Sequence, residues 1–280
     1  MRIISLVPSI TEAVCMLGLE DALVGVTDYC VHPAEVVVSK TRVGGTKNPR
    51  IPDIRALEPD LVIVNTDENR MQTFERLQSL GLNVLVTSTD SLEMVETTWL
   101  QLGNATGTTD LARQYREGIT AARAFNRQML KGVRPLATLM LVWRDPWMAS
   151  GAGTYMESLL AQCGFRNVLS QSDRKWTEIA LNENQSGDLL ALPERPEVIL
   201  LPSEPYPFDE ADCDSLLELG FRREQIMLVD GILLSWRLSR TVPALKQFCA
   251  LRIALGRVDS SGGRPNIRLR NPMHLLAVLL

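Results

Sequence analysis

Short apolar runs alternate with helix-like stretches along this chain, and one unbroken helical pattern divides the alternation into two rounds. In the first round, strands are expected over residues 3–7, 23–26, 61–64 and 83–87, with helices over 12–19, 51–57, 72–80 and 92–102. Pro8-Ser9-Ile10-Thr11-Glu12 reads as the turn between the first strand and helix. The strands are short and apolar throughout rather than alternating apolar with polar. Strands alternating with helices suggest a parallel sheet covered on both faces.

Residues 109–131 are different. Leu111, Tyr115, Ile119, Ala122, Phe125 and Met129 recur at helical spacing, and Gly132 and Pro135 end the pattern. A rise of about 1.5 Å per residue makes this helix roughly 35 Å long. Its place between two α/β rounds suits a rigid connector. The second round has strands expected over 136–143, 198–201 and 226–229, and helices over 154–163, 214–219 and 242–255. Arg195-Pro196-Glu197 ahead of one strand echoes Glu58-Pro59-Asp60 ahead of another. The expected organisation is an N-terminal α/β lobe over 1–107, a connecting helix over 108–133, a C-terminal α/β lobe over 134–255 and a loose tail over 256–280.

Composition narrows the function. At 280 residues, 45% hydrophobic and 22% charged, the chain can bury a sizeable core. Its formal charge of −4 and its scattered basic residues do not suggest nucleic-acid binding. No run approaches the ~20 apolar residues that cross a bilayer. No signal-peptide pattern precedes the first strand, and Cys15, Cys30, Cys163, Cys213 and Cys249 are widely spaced and odd in number. Both features point to a cytoplasmic protein with reduced thiols; a periplasmic address is the alternative if a leader has been trimmed. A monomer is expected.

Enzyme signatures are missing: there is no GxGxxG, Walker A loop, GxSxG or HExxH. His32 and His274 are the two histidines, and no nucleophile motif accompanies them. What stands out is a set of loops just beyond strand ends, where open α/β sheets bind ligands. They contain Tyr29 and His32, then Asp67, then Trp143, Arg144 and Trp147, then Glu204 and Tyr206, then Trp236 and Arg240. Aromatic faces, guanidinium groups and carboxylates together suit a large, partly flat, partly polar small molecule. Taken singly, each aromatic could equally pack beneath a loop. Cys30 and His32 are weak metal candidates at i, i+2, because two ligands without a second Cys/His pair do not make a structural zinc site. His32 as an axial ligand to a haem or corrinoid is a minor possibility.

These motifs resemble those of the class III periplasmic-binding-protein superfamily, in particular the vitamin B12 and iron-siderophore receptors of ABC importers. The matching segments are Arg2 to Glu12, Val43-Gly44-Gly45 and Leu57 to Ile63, then Gly151 to Asn167 and Asp230 to Arg240. Asp67-Glu68-Asn69-Arg70, Trp143 to Met148 and Ser203 to Phe208 are similar to a leaderless branch called helical-backbone metal receptors. The resemblance implies two Rossmann-like lobes with parallel sheets joined by one long helix, with ligand held between the lobes. It places Tyr29 on a corrin-contacting aromatic and Trp143 on the ligand-facing strand end of the second lobe. Departures accompany it. Pro52, with Asp53 beside it, stands where the receptors carry the acidic residue that docks the permease. Arg237 and Leu238 stand where relatives often have small residues, which would narrow the cleft.

The expected function is a non-enzymatic binding protein for a metal chelate, foremost a corrinoid such as cobalamin, with no intrinsic cofactor and an ABC permease as partner. An iron-siderophore or haem binder of the same fold is the alternative, and an enzyme acting on a bound cofactor is the second alternative.

Overall fold

The computed structural model of the chain describes residues 1–181 and 190–256. The tail expected over 256–280 lies beyond these residues except for Gly256. The described residues divide into two compact units: residues 1–119 together with Trp236–Ser239, and residues 120–181, 190–235 and 240–256.

The first unit is built from β1 (Ile3–Ser5), α1 (Pro8–Met16), β2 (Leu23–Val26), α2 (Ala34–Val37), β3 (Thr41–Arg42) and α3 (Ile51–Ala56). It continues with β4 (Leu61–Asn65), α4 (Met71–Ser79), β5 (Val84–Thr87), α5 (Leu92–Thr106) and the first half of α6 (Thr109–Met129). The five strands pair in the order β3-β2-β1-β4-β5, all parallel. Every residue of β1 and β4 is buried, as strands covered on both faces must be. One side of the sheet packs Ile4, Leu6, Val62 and Val64 against Ile54, Phe74 and Leu77. The strand order reverses at β1, so the topological switch point lies between β1 and β4.

The expected turn over 8–12 is the first turn of α1 instead. Pro8 occupies the opening helical position, where a missing N–H costs nothing and a fixed φ favours the helix. Thr11 reinforces that turn by donating its hydroxyl to the Val7 carbonyl at 3.0 Å. At the junction of α5 and α6, Gly107 at φ +75° closes α5, and Gly103 lets α6 approach closely.

The second unit takes the rest of α6, then β6 (Leu136–Trp143), β7 (Met148–Ser150), α7 (Tyr155–Ala161), β8 (Phe165–Asn167), β9 (Trp176–Ala180) and β10 (Leu190–Ala191). It ends with β11 (Val198–Pro202), α8 (Glu210–Glu218), β12 (Ile226–Val229), α9 (Ile232–Ser235) and α10 (Thr241–Gly256). The strands run in the order β10-β9-β7-β6-β11-β12, with β8 also paired to β6. The sheet is parallel except at β7, which runs against both β6 and β9. Residues 144–147, expected as an open loop, form the turn of the β6–β7 hairpin. The core of this unit gathers Leu139, Leu141, Ile199 and Leu201 from the central strands with Trp147, Phe208 and Leu216.

Candidate ligand-binding site

Tyr29, His32, Asp67, Trp143, Arg144, Trp147, Glu204 and Tyr206 lie at or just beyond the carboxyl ends of β2, β4, β6 and β11, whereas Trp236 and Arg240 follow α9. In the first unit the loop after β2 is pinned from below. Arg42 donates to the carbonyls of Thr27 and Cys30 at 2.7 and 2.8 Å, and the Asp28 N–H donates to the Gly44 carbonyl at 2.9 Å. This presents Tyr29 outward, 62% exposed, with its ring edge lying over Gly45. His32 meets Trp236 edge to face at 5.1 Å between ring centroids. Trp236 itself is only 9% exposed.

Cys30 goes the other way. Its Sγ is fully buried and lies 3.1 Å from the hydroxyls of both Thr11 and Thr27. Burial pushes its thiol up, away from the thiolate that a metal requires. Cys30 is thus held against Thr11 and Thr27, whereas His32 packs on Trp236. Among the described residues no three His, Cys, Asp or Glu side chains are grouped so that they could hold a metal ion.

Beyond β4 the polar side chains form a network. Asn65 accepts the Asp67 N–H at 2.9 Å, and Asn69 accepts the Asn65 N–H at 2.8 Å. The Asn69 amide donates to the carbonyls of Leu6 and Thr46 at 3.1 and 2.8 Å, joining the ends of β4 and β1. Asp67 faces Arg237 at 3.1 Å, and the same guanidinium donates to Thr89 at 3.0 Å.

In the second unit, Trp143 ends a strand whose other seven residues are buried, yet is itself 44% exposed. Tyr206 meets it edge to face at 5.5 Å. Trp147 is 8% exposed, belongs to the core and stacks on Phe208 at 6.3 Å, so it offers no open face; the hairpin turn points it inward. Arg144 lies over the Trp147 ring at 5.2 Å and donates to Asp212 at 2.5 Å and Ser215 at 2.9 Å. Those bonds favour its charged form. Glu204 accepts the Ser235 hydroxyl at 2.9 Å. It sits so close to Gly231 that a Cβ there would fall 2.2 Å from the Glu204 nitrogen. Arg240 is partly buried and already engaged.

Residues of these networks that were not anticipated include Thr89 and Asp212, and Glu12, which accepts the Ser239 hydroxyl. Asp212 carried a signal, since Asp209-x-x-Asp212 is a helix-capping pattern, and the capping box is formed. Thr89 and Glu12 carried none.

The chain belongs to the Periplasmic binding protein family, which matches residues 3–200. It is 26% identical over 179 residues to the vitamin B12-binding protein of Salmonella choleraesuis strain SC-B67, covering 64% of this chain and 66% of that one. The fold is similar to the periplasmic vitamin B12-binding protein of Vibrio cholerae at TM-score 0.76 and 20% identity, covering 91% of this chain and 98% of that one. It is also similar to the periplasmic heme-binding protein of Roseiflexus sp. RS-1 at TM-score 0.71 and 21% identity, covering 90% and 96%. The α/β class, the class III binding-protein resemblance and membership of a substrate-binding family are thereby established. The cytoplasmic address is overturned: the matched family and the solved relatives are periplasmic binding proteins. Scattered free thiols were a poor guide to compartment. Among the described residues no helix is long and apolar enough to cross a membrane.

Proposed function

We propose that this chain is a non-enzymatic receptor for a metal chelate of the corrinoid class, cobalamin foremost, and that it delivers its ligand to an ABC permease from the periplasmic side. The observation that carries this is Trp143. A large aromatic left exposed at the carboxyl end of an otherwise buried central strand, with Tyr206 set edge-on behind it, is a stacking platform. Tyr29, exposed on a pinned loop, is the equivalent platform of the first unit. Relatives named for vitamin B12 binding support the ligand class. A haem or iron-siderophore ligand is the second reading, supported by the heme-binding relative.

The test is a tryptophan-fluorescence titration of purified protein with cyanocobalamin, corrected for inner-filter absorption. Saturable quenching that is lost in Trp143→Ala is the expected result. Saturation by haemin or a ferric siderophore alone would transfer the assignment to the second reading, and silence from all three would remove the receptor reading.

A further inference from the structure

The crevice outside the ends of β1 and β4 is where an open α/β sheet ordinarily takes its ligand. In this chain it is crossed by the chain's own segment Trp236–Ser239, which belongs to the first unit. Arg237 meets the β4 and β5 ends through Asp67 and Thr89. Ser239 donates its hydroxyl to Glu12 on α1, behind β1. Leu238 between them is 1% exposed and held at φ +67°, a left-handed conformation that a leucine adopts only when its surroundings enforce it. The Arg237 side chain is 11% exposed, and the Asp67 side chain opposite it is 23% exposed. A cation already paired and mostly removed from water is poorly available to an incoming anion, because the anion must displace Asp67 and leave that charge stranded.

Resting on the receptor reading above, we propose that the Asp67–Arg237 pair sets the ligand class of the first unit's face. The pair supplies an internally neutralised cation at the switch point. The face therefore accepts chelates whose periphery is uncharged and amide-bearing, and rejects those whose periphery carries carboxylates or catecholates. Asp67 is then a positioning residue for Arg237 rather than a reader of ligand. The second unit repeats the device independently, with Arg144 held by Asp212 and Ser215.

Titrations with cyanocobalamin, haemin and ferric tris-catecholate test this. The wild-type protein should bind cyanocobalamin about tenfold or more tighter than either anionic probe. Asp67→Asn, which removes the carboxylate opposite Arg237, should raise the affinity for haemin relative to cyanocobalamin about tenfold. Arg237→Met should bind haemin no more tightly than the wild type, and in the double variant it should abolish the haemin gain. Wild-type protein that prefers haemin, or Asp67→Asn with an unchanged haemin-to-cyanocobalamin affinity ratio, overturns the specificity proposal and leaves the receptor reading standing. Failure of all three probes overturns both. If Asp67→Asn does not fold, the wild-type ranking and Arg237→Met decide alone.

Discussion

Arg144 shows how one side chain can be tied to both stability and site shape. Its guanidinium spans the face of Trp147 and reaches Asp212, whose side chain is only 4% exposed and also closes the capping box of α8. Removing one member of a buried pair strands the other, at a cost of about 3–5 kcal/mol when both are fully enclosed. Arg144 keeps 27% exposure, so water recovers part of that cost. Asp212→Asn should therefore lose ~1–3 kcal/mol in urea unfolding, with the two-state slope unchanged. The sequence showed the Trp-Arg-Asp-Pro-Trp run as a candidate loop, but not which tryptophan faces out. Side-chain alternation holds along β6 and stops at the hairpin turn. Whether Trp147 turns inward is decided by Phe208, which arrives from a different loop. Thr89 and Glu12 were equally hidden, because their roles depend on a four-residue segment far away in sequence.

The helices and central strands were legible because their apolar periods are local. The expected strands over 23–26, 136–143 and 226–229 match β2, β6 and β12. The short strands β3, β7, β8 and β10 were not legible; two or three residues carry no period, and only their neighbours make them strands. Helix starts were misplaced where capping chemistry was passed over, at Pro8 in α1 and at Asp209 before α8. The α5–α6 contact yields an element-level prediction. Alanine in place of Gly103 would gain up to about 1 kcal/mol of helix propensity. Its Cβ would, however, fall 2.5 Å from the Ala112 Cβ and 3.1 Å from the Thr109 Cα. Overpacking of that kind costs about 1–3 kcal/mol, so the clash wins. Gly103→Ala should lower the melting temperature, and adding Ala112→Gly should restore much of the loss.

At the scale of the molecule, buried thiols make stability depend on alkaline pH. Burial raises Cys15 and Cys213 from 9.0 to about 11, and it pushes Cys163 and Cys249 up as well. Above pH 9 the unfolded chain has released protons that the folded chain still holds. The stabilisation is therefore complete below about pH 9 and is lost as pH rises toward about 11. Thermal melts across that window should show a progressive fall, flattened in the Cys15→Ala/Cys213→Ala variant. The return of Trp236–Ser239 to the first unit has a further consequence, for synthesis. A ribosome releases residues 1–119 well before it makes that segment. Until Ser239 emerges, Glu12, Asp67, Thr89 and His32 lack the partners it supplies. The first unit to be translated is thus finished only after residues 120–235 have been made, and a truncation anywhere before Trp236 would leave both units incomplete.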